Sequence, residues 1–236
     1  VPVDKAGTKV PSDAEIRIKG HIMPYVGRGG YKLEKALKFF KIDLNGKVVA
    51  DIGASTGGFT DCALQNGAVK VYAIDVGTNQ LDWKLRTDQR VINMEKTNIK
   101  LVTLETLGEP VDFVCTDISF ISVTKIIPAV KSILKPDGSI AALIKPQFEA
   151  GREKVGKGGI VRDPEVHKEV IRDTLKTFEE SGYFCWGLTY SPIKGGSGNI
   201  EFLTYLRSSI PQVFINDEDI NAVVEEAHNN LLKGQV

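Results

Sequence analysis

The chain lacks most of what would mark a specialised class at first sight. Its 236 residues include only three cysteines, Cys62, Cys115 and Cys185, too far apart for metal-ligand spacing. A sparse, odd count reads as reduced thiols and gives a cytoplasmic location as the expectation. No apolar stretch approaches the roughly 18–20 residues a membrane helix needs, and nothing at the start reads as a secretory signal. Charges balance, with 30 Lys and Arg against 30 Asp and Glu. No global field therefore marks a nucleic-acid binder, and any such surface must be local.

What the chain does have is a recurring pattern of apolar runs that end in a charge. Residues 48–50 lead to Asp51, 71–74 to Asp75, and 91–94 to Glu95. Residues 113–116 lead to Asp117, and 140–144 to Lys145. Short apolar runs separated by helical stretches read as buried strands of a parallel sheet. Ligands of such sheets lie beyond the carboxyl ends of the strands, so all five charges are expected to line one cleft. A hydrophobic core has no use for that arrangement, whereas a site for a charged cofactor does.

Around these strands the spacing predicts helices over 31–41, 59–66, 78–86, 123–134, 165–181 and 216–233. The fifth begins at Asp163-Pro164, a cap followed by a first-position proline. Lys135-Pro136-Asp137-Gly138 reads as a turn before the fifth strand, and 149–159, rich in glycine and charge, as a mobile loop beside the cleft. Strands over 183–190 and 200–206 are joined by Gly195-Gly196-Ser197-Gly198-Asn199. Such a hairpin sets the last strand antiparallel and brings Glu201 to the rim of the parallel strand ends. The expected class is α/β, a seven-stranded, mostly parallel sheet with its last strand antiparallel. Residues 1–26 differ from the rest, with a turn at Val10-Pro11-Ser12-Asp13 and a short strand over 15–18. They read as a linker and the remnant of a small module, with the main domain over 27–236.

The turn Asp51-Ile52-Gly53-Ala54-Ser55-Thr56-Gly57-Gly58-Phe59 leaves the first strand and opens a helix. Its glycines let the backbone approach a ligand, and the helix start offers free N–H groups to an anion. A dinucleotide fingerprint would need glycine where Ser55 stands. A serine nucleophile elbow would need a well-placed late histidine, and His167 and His228 fall in expected helices. S-adenosylmethionine suits the acids best. Asp51 would lie near the methionine end and Asp75, followed by Val76 and Gly77, near the ribose. Glu95 would lie near the adenine. A tight connection with solvated acids explains one such residue, not three in succession.

The remaining rim residues bear on the acceptor. Asp117-Ile118-Ser119-Phe120 lacks the proline-proline-aromatic pattern of amino-nitrogen methylases, and Cys115 lies inside its strand, away from any role as a thiolate nucleophile. The rim offers instead Lys32, Asp117, Lys145 and Glu201. That order resembles the Lys-Asp-Lys-Glu tetrad of FtsJ-type ribose 2′-O-methyltransferases. Four words carry a closer resemblance, to the TlyA family: Arg28-Gly29-Gly30-Tyr31-Lys32-Leu33, the glycine turn from Asp51 to Phe59, Asp117-Ile118-Ser119-Phe120, and Ile144-Lys145-Pro146-Gln147-Phe148-Glu149. It covers residues 25–207 and departs at Gly27, where the family usually has serine.

The resemblance implies a Rossmann-like fold that uses S-adenosylmethionine, a catalytic tetrad of Lys32, Asp117, Lys145 and Glu201, and ribosomal RNA or ribosomal subunits as partner. It also implies a preceding RNA-binding module, of which residues 1–26 would be the tail. Neither membrane nor metal enters this reading. The hemolysin name that some family members carry leaves a membrane-active rival, and a non-catalytic cofactor-binding protein is another. Methylation of a small molecule or a protein differs only in what fills the cleft. RNA contact is expected from Arg28, Lys32, Lys35 and Lys38 and from Arg152, Lys154, Lys157 and Arg162, with Tyr31 and Phe148 as candidates for base stacking.

Overall fold

The computed structural model describes residues 8–15 and 23–232. Seven strands form one sheet: β1 (Val48–Ile52), β2 (Lys70–Ile74), β3 (Val91–Met94), β4 (Val111–Thr116), β5 (Leu134–Ile144), β6 (Phe184–Tyr190) and β7 (Phe202–Arg207). Their order across the sheet is β3-β2-β1-β4-β5-β7-β6. β7 lies antiparallel between β5 and β6, and every other pairing is parallel. The α/β class and the reversed last strand read from the sequence are what the chain adopts.

Alternation along the central strands sorts the core into two layers, as the two-residue period of a strand requires. Val49, Val71, Phe113, Cys115, Ala141 and Leu143 face one side, with Leu33, Ala36 and Leu37 packed against them. Ala50, Tyr72, Ile74, Val114, Ile140 and Ala142 face the other, against Ile126, Val130 and Ile133. Phe113 is almost completely buried, so truncating it to alanine would cost about 3–5 kcal/mol.

The helices are α1 (Gly29–Phe40), α2 (Gly58–Gln65), α3 (Trp83–Arg86), α4 (Leu104–Leu107), α5 (Ile127–Ile133), α6 (Pro146–Glu149), α7 (Pro164–Glu180) and α8 (Asp217–Leu232). α7 begins as its sequence predicts: Asp163 caps it by accepting from the Glu165 N–H, with Pro164 behind it.

Three expectations are corrected. The helix predicted over 78–86 shrinks to the single turn of α3, because the Glu95 carboxylate takes the N–H groups of Gln80 and Leu81 and holds them as a loop. The helix predicted over 123–134 opens as a 3₁₀ turn at Val123–Ile126, and Pro128 sits in the first turn of the α5 that follows. The predicted turn at residues 135–138 is a bulge within β5, whose pairing jumps from Val111–Leu134 to Phe113–Ser139.

The segment expected to be a mobile loop over 149–159 is tied down. Glu149 Oε1 accepts from the Val123 N–H at 2.7 Å, and Lys154 pairs with Glu169 on α7. Buried Asn199 accepts from the Val161 N–H at 2.9 Å and donates to the Gly159 carbonyl at 2.8 Å. The predicted N-terminal turn is present, with the Ala14 N–H on the Pro11 carbonyl. The predicted short strand over 15–18 falls almost wholly outside the described residues. Of the linker, Tyr25 is buried, and the Val26 N–H donates to Asp61 of α2.

Candidate active site

The connections run outward in opposite directions from β1 and β4, and the crevice of an open α/β sheet forms at the carboxyl ends of such a pair. Ile52 pairs with Thr116, which sets Gly53 beside Asp117. Gly53 has φ +84°, and a Cβ there would lie 3.0 Å from the Asp117 carbonyl oxygen, so only glycine lets these strand ends close up. A cavity of about 400 Å³ opens above them. Gly53, Ala54, Ser55 and Thr56, with Gly58 and Phe59 from the start of α2, form one wall.

Lys32, Asp117, Lys145 and Glu201 line the same cavity. Helix α1 contributes Lys32, the ends of β4 and β5 contribute Asp117 and Lys145, and Glu201 enters just before β7. Lys32 Nζ lies 3.0 Å from Asp117 Oδ2 and 2.7 Å from Glu201 Oε2. Lys145 Nζ lies 2.6 Å from Asp117 Oδ1 and donates to Ser119 Oγ at 3.0 Å. One carboxylate is thus shared between two ammonium groups, and all four side chains are largely buried. Burial works against the Lys32 ammonium, but Asp117 and Glu201 outweigh it and raise its pKa. Burial likewise opposes the Asp117 carboxylate, and Lys32 and Lys145 hold its pKa below the ordinary value.

The acids at the ends of β1 to β3 do not share this cavity, contrary to the expectation of one cleft lined by all five charges. β1 runs one residue past Asp51, so Asp51 faces α2 from inside the sheet, fully buried, with Oδ2 accepting from Thr60 Oγ1 at 2.6 Å. Its Oδ1 has no partner. Burial chiefly, opposed by the Thr60 hydrogen bond and helped by the charges of Asp117 and Asp75, raises its pKa to about 7. Asp75 is half-buried and braces the glycine turn, accepting from the Ser55 N–H at 2.8 Å and the Gly77 N–H at 2.7 Å. Val76 beside it is 73% exposed. Glu95 is gripped by Arg86 through both oxygens, and its pKa is lowered to about 2, first by the Leu81 N–H and then by Arg86. Gly57 caps α2 and faces Leu81 and Leu85 instead of the cavity.

Other wall residues were not singled out by sequence. Ser119 and Gln147 follow Asp117 and Lys145 by two positions, and Gln147 Nε2 reaches Glu201 Oε1 at 3.4 Å. Phe120 lines the mouth at φ +69°, 88% exposed, with its ring 5.3 Å from that of Phe148. The turn before β7 closes over Glu201 so tightly that a Cβ on Gly195 would meet its Oε1 at 2.3 Å. Adjacency to the tetrad was the available signal for each of them. Among the expected RNA-facing cations, Lys38 pairs with Glu34 and Lys154 with Glu169, and the Lys35 Nζ sits 3.3 Å over the Tyr190 ring. Arg28, Arg152, Lys157 and Arg162 are exposed, without a carboxylate partner among the described residues. No group of three or more His, Cys, Asp or Glu side chains gathers as a metal site among those residues.

The residues present suit S-adenosylmethionine: a glycine turn stripped of side chains at Gly53 and Gly58 walls the cavity, and α2 starts there, where a helix offers N–H groups to an anion. Comparison with known proteins agrees. Residues 25–208 match the family model of FtsJ-like methyltransferases. YqxC of Bacillus subtilis, named as a candidate rRNA methyltransferase, is 51% identical over 97% of this chain and 83% of its own length. TlyA of Mycobacterium tuberculosis, named a 16S/23S rRNA (cytidine-2′-O)-methyltransferase, is 43% identical over 78% of this chain and 69% of its own length. The crystal structure of a candidate hemolysin from Lactococcus lactis superimposes with a TM-score of 0.82 at 51% identity, covering 87% of this chain and 99% of that one. A glycine-walled cavity facing two lysines and two acids, a seven-stranded sheet with one reversed strand and a match over most of its length make this chain a member of the FtsJ-like methyltransferase family.

Proposed function

We propose that the chain is an S-adenosylmethionine-dependent methyltransferase that modifies a ribose 2′-hydroxyl in ribosomal RNA, with Lys32, Asp117, Lys145 and Glu201 as its catalytic residues. The observation that carries this reading is the meeting of those four side chains in one cavity beside the glycine turn. The rRNA ribose activity named for the Mycobacterium tuberculosis relative supports it.

S-adenosylmethionine brings a methyl group already activated on a sulfonium, so the protein needs no nucleophile of its own. Gly53 to Phe59 would hold it, with Asp75 bracing their turn. What remains is to hold an oxygen in line, and positioning of that kind can supply roughly 7–11 kcal/mol of a barrier. A ribose hydroxyl is a weak nucleophile at neutral pH and gains from a nearby base. Lys32, held between Asp117 and Glu201 with its pKa raised, stays charged and anchors the two carboxylates. Lys145, fixed by Asp117 Oδ1 and Ser119 Oγ, would orient the hydroxyl, and only as the neutral amine would it take the hydroxyl proton as the C–O bond forms and the methyl–sulfur bond breaks. The target hydroxyl exists in RNA and not in DNA, so the same residues select RNA. Arg28, Arg152, Lys157 and Arg162 would meet the phosphate backbone on either side. Work on ribosomal RNA gives the chain a cytoplasmic place.

No described helix is long and apolar enough to cross a membrane, and no lytic role would call for a shared carboxylate between two buried lysines. The test is to incubate the protein and labelled S-adenosylmethionine with unmethylated 16S and 23S rRNA and with ribosomal subunits, then map 2′-O-methyl marks. New 2′-O-methyl marks on ribosomal RNA are expected. Label on a base, or none on any RNA, would overturn the reading.

A further inference from the structure

A second concavity, of about 560 Å³, lies across α1 from the catalytic cavity, within the roughly 300–1,000 Å³ of small-ligand clefts. Tyr31 and the 56%-exposed Phe39 supply it from α1, and Pro192 and Ile193 close the far side. The same two elements, α1 and the loop before β7, line both sites with different residues. On α1, Gly29 and Lys32 face the cavity while Tyr31, Lys35 and Phe39 face the groove; in the loop before β7, Gly196 and Ser197 line the cavity while Pro192 and Ile193 line the groove. At 1.5 Å per residue, Phe39 stands about 10 Å along α1 from Lys32, roughly three steps of a stacked strand at about 3.4 Å each. Lys35 and Lys38 line this apolar floor, Lys38 paired with Glu34 at 2.9 Å, and Lys194 follows Ile193 in the chain with no carboxylate partner among the described residues.

An aromatic floor beside ammonium groups, on the other face of the helix that carries Lys32, has the chemistry to hold an unpaired nucleotide: the base stacks on the rings and the phosphate meets the cations. We propose that the groove holds an unpaired nucleotide flanking the target ribose, its base against Phe39 and Tyr31 and its phosphate near Lys194. This inference rests on the RNA-methyltransferase reading and adds to it a recognition subsite outside the catalytic residues. Stacking of one base contributes about 1–3 kcal/mol, which corresponds to roughly 5- to 150-fold in affinity.

The test compares parent, Phe39→Ala and Phe39→Trp proteins. Binding of a fluorescent single-stranded oligocytidylate is followed by anisotropy, S-adenosylmethionine binding by calorimetry, and oligomeric state by sedimentation. Phe39→Ala should weaken oligonucleotide binding at least fivefold with cofactor affinity and thermal midpoint unchanged, and Phe39→Trp should restore it. Affinity within twofold of the parent in Phe39→Ala, no oligonucleotide binding by the parent, or a parent dimer that Phe39→Ala dissociates would each overturn the groove. If the parent still methylates rRNA in any of those cases, the groove alone falls; a parent without rRNA methylation sinks the functional reading itself.

Discussion

Lys32 Nζ and Glu201 Oε2 lie 2.7 Å apart in a buried ion pair although 169 positions separate the two residues in the chain. Removing the ammonium would leave Asp117 and Glu201 close together with one cation fewer between them. Lys32→Met should lower the unfolding free energy by about 3–5 kcal/mol, measured by chemical denaturation, and adding Glu201→Gln should recover part of that loss. Strictly additive effects would mean the pair is uncoupled.

Lys145 is the amine assigned to the reacting hydroxyl. Lys145→Ala should abolish methyl transfer while calorimetry shows cofactor affinity close to that of the parent. Turnover equal to the parent's would remove Lys145 from the mechanism.

Asp75 braces the glycine turn through the N–H group of Ser55 and accepts from the Gly77 N–H in its own loop. Its alanine variant should bind S-adenosylmethionine roughly 10- to 100-fold more weakly, and Asp75→Asn, which keeps an acceptor oxygen, should fall in between. Unchanged affinity in both would separate the brace from the cofactor.

Gly195 packs so closely on Glu201 that Gly195→Ala must displace one of them. The expected result is a fall of about tenfold in kcat, near 1.4 kcal/mol, with cofactor affinity unaltered. A variant with full kcat would show that the Glu201 carboxylate tolerates movement.

Two buried groups should give opposite pH dependences of stability. Burial raises the Asp51 pKa from 3.8 to about 7, so its contribution is present below about pH 4 and is lost as pH rises through 7. His167 is depressed from 6.5 to about 4, first by burial and then by neighbouring His228, with the Val161 carbonyl and Asp163 acting the other way. Its contribution is present above about pH 6.5 and is lost as pH falls through 4. Relative to the parent, the thermal midpoint of Asp51→Asn should climb between pH 4 and 7, and that of His167→Gln should drop. Parallel curves would mean that neither group is perturbed.

The ends of β2 to β5 and the four tetrad positions were legible because each depends on a local apolar run or on the order of short words. Asp51 was expected beyond its strand and lies within it, because two-residue alternation shows which side a residue faces, not where the strand stops; β1 continues to Ile52. Glu95 was expected at the cavity and is held elsewhere by Arg86 of α3 and by the backbone of Gln80 and Leu81, which lie in a loop that helical spacing had claimed. The 149–159 segment has the composition of a flexible connection, and its anchors, Glu169 and Asn199, come from elements that composition cannot bring near.

The position of β7 in the middle of its half of the sheet has a consequence for synthesis. Until residues 202–207 have been made and inserted, the side of β5 that β7 will occupy bears unpaired N–H and C=O groups along an apolar strand. A chain that ends early would keep that template open to any other copy. C-terminal truncations ahead of β7 should therefore accumulate as aggregates, with no partly active soluble form.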